Sequence, residues 1–276
     1  MNILNKYKLF AWMTCLFVAV MFFSCDIISE DERVKKVENI TTVRPVLLED
    51  FTGQACINCP AATATAHELK KALGDNLIIV SIHAGVFAQR AFRTEVGDEY
   101  HNHFYGDGSD GYPAGMIDRT MVDNDRISTN FLTWGGFILN RAQLTSVPKF
   151  ELILAANYDE NNRSLTVNAK GRSFEELTNI KIQLWLTESK IIAFQRSGTE
   201  MIPDYEHNHI LRDAINGTWG KDIELKSAND YHFDYTCDAY TISENWKPEN
   251  MHIVGFLYDA KTEEVLHTVE IPLIEQ

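Results

Sequence analysis

The feature that most constrains the fold is a pair of cysteines, Cys56 and Cys59, placed between a strand-like run and a helix-like run. Residues 46–51 are mostly apolar, and residues 60–73 are rich in alanine, which favours a helix. Residues 76–83 are again apolar, as a buried parallel strand requires. The sequence therefore predicts a β–α–β unit that places Cys56 at the amino-terminal end of a helix.

This position favours redox chemistry at the cysteine pair. The partial positive charge of a helix amino terminus stabilises a thiolate, and Cys59 lies near enough in the first turn to resolve a mixed disulfide. A closed zinc site needs four ligands, and the sequence contains no second CxxC. Cys237 stands alone and is predicted to be a small buried residue of a strand.

The first 24 residues are predicted to be an export signal rather than part of the fold. Lys6 and Lys8 precede an apolar run over residues 9–24, which is shorter than the roughly 20 residues of a membrane-spanning helix. The run ends at Cys25 in a pattern that resembles a bacterial lipobox, which predicts lipidation of Cys25. The alternative is an ordinary signal peptide cut elsewhere.

Residues 25–44 are polar and are predicted to be a tether between the anchor and the folded domains. Their acidic cluster, Ser29–Glu32, resembles a surface-export signal, so a periplasm-facing and a cell-surface outer membrane lipoprotein both stay open. An acyl anchor attaches the chain to a membrane without a spanning helix.

Composition excludes several other classes of protein. A hydrophobic fraction of 45% rules out a disordered chain, and a single long apolar run rules out a polytopic membrane protein. The net charge of −14 disfavours a nucleic-acid binder, because phosphates demand a basic face. We expect no cofactor.

The pattern changes after residue 145. Residues 84–110 carry a partial helical stripe of aromatic residues, which indicates a lid over the sheet or a substrate-facing wall, and residues 127–144 predict a closing helix. From residue 146 to residue 276, short alternating runs are separated by turns such as 159–162 and 259–262. These runs predict an all-β sandwich of immunoglobulin-like type.

The cysteine region resembles the thioredoxin superfamily over residues 45–145. Asp50 and Phe51 stand six and five residues before Cys56, where the superfamily has a buried acid and an aromatic residue. The resemblance implies that Asp50 accepts the Cys59 proton, that Pro113 forms a cis peptide bond facing the disulfide, and that Tyr112 touches the substrate. A capping role for Asp50 and an ordinary trans proline are the alternatives.

The segment at residues 205–220, with the run at 51–60 and the lipobox, resembles the outer membrane protein 28-related lipoproteins. In that family a thioredoxin-like domain precedes an immunoglobulin-like one, and no settled activity comes with the resemblance. His-Asn-His occurs at 101–103 and at 207–209. These histidines are candidates for a metal site or for simple hydrogen bonding, and we expect no metal.

Two hypotheses about function follow. The first is a membrane-anchored thiol–disulfide oxidoreductase that acts on thiols or disulfides of exported proteins through Cys56 and Cys59, in a direction that the sequence does not fix. The second is a binding or structural surface lipoprotein, in which the disulfide is static and the domains are a scaffold.

Overall fold

The computed structural model describes residues 45–106, 111–122, 125–143 and 149–274. The predicted signal peptide, the lipidated Cys25, the tether and the boundary between residues 145 and 146 lie outside these ranges, so they stay predictions. Within the described ranges, none of the helices combines the length and the apolar content that a membrane span requires.

The chain begins with a mixed α/β part. Its elements are β1 (Val46–Thr52), α1 (Cys59–Leu73), β2 (Leu77–His83), α2 (Glu95–Tyr100) with a π-helical turn at His101–Tyr105, β3 (Ala114–Ile117) and α3 (Trp134–Gln143). Strand β2 pairs with β1 in parallel, and β3 pairs with β1 antiparallel.

The predicted β–α–β unit is confirmed almost to the residue. Helix α1 carries a proline in its first turn, where no backbone donor is lost, and it ends at Gly74 with a positive φ of 57°. The closing helix begins at Trp134 rather than at Ile127. The reason is that Ser128 exchanges two backbone hydrogen bonds with Gly115, which keeps Ser128 out of the helix, and a 3-10 turn at Phe131–Thr133 then leads into α3.

A mostly β part follows. Its strands are β4 (Phe150–Asp159), β5 (Ser164–Ser173), β6 (Ile180–Glu188), β7 (Ile191–Ser197), β8 (Glu200–His207), β9 (Ile210–Ala214), β10 (Lys221–Ile223), β11 (His232–Thr241), β12 (Met251–Asp259) and β13 (Val265–Pro272). The predicted turns at 159–162 and 259–262 connect β4 to β5 and β12 to β13, and both pairs are antiparallel.

One sheet runs through both parts of the chain, in the order β13-β12-β6-β9-β2-β1-β3, with β10 beside β6. The two parts meet where Ser81 of β2 pairs with Ile210 of β9, and the Ser81 amide donates to the His209 carbonyl at 2.8 Å. Strands β11, β5 and β4 form a second sheet, and β7 and β8 form a separate hairpin.

Three apolar clusters hold these layers together. Helices α1 and α3 pack on one face of β1 and β2, where Trp134 is fully buried. The opposite face packs on α2 through Tyr100 and Trp185. The third cluster lies between the two sheets and joins β4, β5 and β11 to β6 and β12.

Candidate functional site

The two cysteines form a disulfide at the amino-terminal end of α1. The turn before it is held by backbone bonds: the Cys56 amide donates to the Gly53 carbonyl at 3.0 Å, and the Ala55 amide donates to the Phe87 carbonyl at 2.9 Å. The sulfur pair therefore lies at the positive end of the helix dipole, which stabilises a thiolate after reduction.

Both cysteines are deeply buried. Cys56 and Cys59 are each 2% exposed, whereas Ile57 between them is 46% exposed. The turn therefore reaches the surface through an apolar side chain, while the sulfur atoms lie beneath it. Thiol–disulfide exchange requires that a substrate reach Cys56, and the observed burial does not allow this access.

The β7–β8 hairpin, which the sequence did not indicate, lies against the cysteine turn. The Arg196 amide donates to the Gln54 carbonyl at 2.8 Å, and the Gly198 amide donates to the Ile57 carbonyl at 3.0 Å. The buried Gln195 side chain donates to the Cys56 carbonyl at 3.0 Å. A segment far along the chain thus closes the cysteine turn from outside.

Asp50 is buried in β1, on the face that α1 covers. Its Oδ1 atom has no hydrogen-bond partner among the described residues. Burial without compensation raises the pKa of Asp50 to about 7. Asp50 lies close enough to Tyr112 and Tyr205 to affect the pKa of both hydroxyls. A carboxyl group with this pKa exchanges protons in the neutral range.

The Tyr112–Pro113 peptide bond is cis, as the resemblance implies. Strand β3 begins directly after it, and Ala114 pairs with Phe51, so the proline loop lies at the same end of β1 as the cysteine turn. The Tyr112 hydroxyl bonds to His101 Nδ1 at 2.7 Å. That Tyr112 and Pro113 contact a substrate stays a prediction.

A cavity of about 250 Å³ opens beside this loop. Its lining includes Phe87, His101 and Tyr112, together with the ion pair between Arg93 and Asp98. Residues 84–106 of the insertion therefore provide both a cover for the sheet and a wall beside Tyr112.

A buried ion pair lies under the same sheet. Arg119 donates two bonds to Glu49, at 2.9 and 3.0 Å, and both side chains are almost fully buried. The guanidinium also lies 4.8 Å from the centre of the Phe104 ring and 5.7 Å from that of Trp185. The pair links β1 to residues of both parts of the chain. A glutamate within the mostly apolar run at residues 46–51 was the sequence signal for it.

The two His-Asn-His segments do not meet. His103 pairs with Glu263 at 2.6 Å, and His207 packs against His83 with ring centres 5.5 Å apart. Burial lowers the pKa of His83 and of His207, which favours their neutral forms. Among the residues that the structure describes, no group of three histidine, cysteine or acidic side chains is placed to hold a metal ion.

Gly53 makes the cysteine turn sensitive to a single methyl group. A Cβ at this position would lie 2.4 Å from the backbone carbonyl carbon and oxygen of Phe87, which cannot move aside cheaply. We expect Gly53→Ala to lower the free energy of unfolding by about 1–3 kcal/mol in urea denaturation. Gly136→Ala is the matched control, because nothing lies within 4 Å of its Cβ. Equal stability of the two variants would contradict the close approach.

Comparison with known proteins places the chain in a family. The family model described as "Outer membrane protein Omp28" matches residues 98–273. No curated protein sequence matches the chain.

Three solved structures are similar to the chain. HBP35 of Porphyromonas gingivalis matches with a TM-score of 0.65 at 13% identity, covering 86% of this chain and 79% of that one. A crystal structure of an Agrobacterium tumefaciens protein matches with a TM-score of 0.54 at 10% identity, covering 86% and 97%. A domain of the outer membrane lipoprotein Omp28 from P. gingivalis is 28% identical over 47% of this chain and 92% of that one, with a TM-score of 0.33.

At these identities the first two structures support the fold alone, an α/β part followed by a mostly β part. The family model, by contrast, covers more than half of the chain. It includes residues 205–220, where Trp219 bonds to Glu99 and Arg212 pairs with Glu188. The chain belongs to the Omp28 family and is an outer membrane lipoprotein.

Proposed function

We propose that this lipoprotein is a thiol–disulfide oxidoreductase that acts on exported proteins through Cys56 and Cys59. The observation that carries the proposal is the buried carboxyl group of Asp50, on the face of β1 that α1 covers, whose Oδ1 has no hydrogen-bond partner among the described residues. A static disulfide gives no reason to keep a costly buried acid there. Thiol–disulfide exchange gives such a reason, because a leaving thiolate must take up a proton and a reacting thiol must lose one.

The chemistry begins from the disulfide that the chain holds. A substrate thiolate attacks Cys56 Sγ, the Cys56–Cys59 bond breaks, and Cys59 leaves as a thiolate that takes a proton from Asp50. A second substrate thiolate then attacks the substrate sulfur of the mixed disulfide and expels Cys56 as a thiolate. The two protons that the substrate thiols lose pass through solvent to Cys56 and to Asp50, so two substrate thiols become one disulfide and the cysteine pair becomes two thiols. The reverse sequence reduces a substrate disulfide.

The finer fold belongs to the same proposal. The α/β part is thioredoxin-like: it has the strand–CxxC–helix–strand order, a cis proline before β3 and a buried acid in β1. The β part is an immunoglobulin-like sandwich, since the sheet β11-β5-β4 packs face to face on β6 and β12 through one apolar cluster.

The lipid anchor and the partners predicted from the sequence belong to the same proposal. Cys25 carries the lipid that tethers the chain, and the partners are thiols or disulfides of exported proteins, not nucleic acid. A substrate segment lies along the loop of Tyr112 and Pro113, beside the cavity walled by Phe87.

The test is capture of the mixed disulfide. We expect Cys59→Ser, incubated with an unfolded protein carrying a disulfide, to accumulate a covalent adduct that a reductant dissolves, because Cys56 attacks and nothing resolves it. Cys56→Ser is expected to form at least about a hundredfold less adduct, and Cys237→Ser to behave like the parent chain. Equal adduct from Cys56→Ser and Cys59→Ser, or none from either, would refute the proposal.

The burial of the cysteines favours a second candidate. In it the disulfide is a static crosslink, and the two parts serve as a binding scaffold on the outer membrane. This candidate requires that the pair resist reduction until the whole chain unfolds, and that binding of a partner survive Cys56→Ala.

A further inference from the structure

The β7–β8 hairpin stands apart from the rest of the β part. Its two strands pair with each other and, within the described residues, with no strand of either larger sheet. It leaves the large sheet after Glu188 at the end of β6 and returns to it at Ile210 in β9. The hairpin is therefore joined to the large sheet at its two ends, and its orientation depends on the contacts of its tip and sides.

Its hydrogen bonds to the cysteine turn come from residues 195–198, while His207 at the end of β8 packs against His83 and Phe92. Gln195 donates through one side-chain nitrogen to the Cys56 carbonyl at 3.0 Å and to the Gly53 carbonyl at 3.3 Å. Two backbone bonds to the turn come from Arg196 in β7 and from Gly198 just after it. The hairpin thus satisfies backbone carbonyls on both sides of Cys56 and lies directly against the turn that carries the sulfur atoms.

The base of the hairpin has the character of a hinge. Lys190 follows β6 with a φ of 59°, and His209 precedes β9 with a φ of 57°. Residues other than glycine rarely adopt this left-handed region, and a return to ordinary φ values at these two positions reorients the hairpin as a unit. Both positions lie outside the strands. Rotation about the N–Cα bond of His209 turns the preceding chain and leaves the His209 carbonyl in place to accept from the Ser81 amide, so the large sheet keeps its pairing.

We propose that the β7–β8 hairpin is a gate over the Cys56–Cys59 disulfide, latched by Gln195, and that exchange occurs only when the hairpin swings away. The inference rests on the proposed function, and it reconciles a reactive pair with its 2% exposure. Gln195 is a positioning residue: it contacts the backbone of the turn and not the substrate. The β part then controls the redox site of the α/β part.

The experiment measures the rate at which a small phosphine reduces the disulfide of the full oxidised chain, with the thiols read by alkylation and mass spectrometry. The phosphine attacks one sulfur, the disulfide opens to two thiols, and the phosphine is oxidised with oxygen from water. We expect Gln195→Ala to be reduced at least about tenfold faster than the parent chain, because the closed state loses its side-chain bonds to the turn. Gln143→Ala, at an exposed glutamine outside the hairpin, should stay within about twofold.

A folded Gln195→Ala variant with an unchanged rate would overturn the gate. If Gln195→Ala fails to fold, the test uses the parent chain. Its rate of disulfide reduction is then measured as a function of urea concentration below the unfolding transition. Opening of one hairpin exposes little surface, so the rate should rise only weakly with urea. A rate that rises as steeply as global unfolding would overturn the gate. Access of a phosphine needs no protein substrate, so faster reduction of Gln195→Ala without mixed-disulfide capture would refute the proposed function and leave the gate standing.

Discussion

Asp50→Asn is expected to stabilise the oxidised protein at pH 8 by up to about 4 kcal/mol, and to leave its stability at pH 4 nearly unchanged. The pKa of Asp50 rises from 3.8 to about 7 on folding, because burial penalises the charged carboxylate. The folded state therefore holds this proton more tightly than the unfolded state does. The stability that this tighter proton binding contributes is complete below pH 4 and is lost as the pH rises to 7.

The size of the effect follows from the shift. About three pH units correspond to roughly 4 kcal/mol, and the neutral amide of asparagine avoids this loss. Urea denaturation of the variant and of the parent chain, at each pH, measures the difference. Asp75→Asn, at an exposed carboxylate, serves as the control and should show a pH-independent difference of less than about 0.5 kcal/mol. A stability difference for Asp50→Asn that does not grow between pH 4 and pH 8 would contradict the buried acid.

Arg119→Met is expected to lower the free energy of unfolding by about 3–5 kcal/mol, because it leaves Glu49 buried without its partner. Glu49→Leu combined with Arg119→Met should recover most of the loss, since an apolar pair of similar volume replaces the ions. Arg172→Met breaks a partly exposed pair with Glu151 and should cost less than about 1 kcal/mol.

The Arg119→Met variant also tests whether the two parts of the chain unfold together. Arg119 lies near the rings of Phe104 in the α/β part and of Trp185 and Phe256 in the β part. We therefore expect one cooperative transition that shifts as a whole, when followed by circular dichroism in urea. Two transitions, of which only one shifts, would show that the parts fold independently.

The elements around the cysteines could be read from the sequence because their signals are local. Alanine content and Gly74 define α1, and apolar runs define β1 and β2. The cis bond at Pro113 and the buried Asp50 came from the family resemblance, and the structure shows both.

What the sequence did not indicate depends on contacts between distant segments. Gln195 meets the Cys56 carbonyl across 139 positions, and neither glutamine nor its neighbours carry a motif for such a contact. The continuity of the sheet likewise depends on a short pairing of Ser81 with Ile210. Tertiary packing decides such pairings, so local propensity and periodicity do not reveal them.

The redox function is tested most sharply by the redox equilibrium of Cys56 and Cys59 in the folded full chain. The chain is incubated in glutathione buffers of graded potential, the thiols are trapped by alkylation, and circular dichroism confirms that the fold persists. We expect a reversible two-electron titration between disulfide and dithiol within the native state. A pair that stays oxidised in every buffer, and is reduced only under conditions that unfold the chain, would show a static crosslink and contradict the redox function.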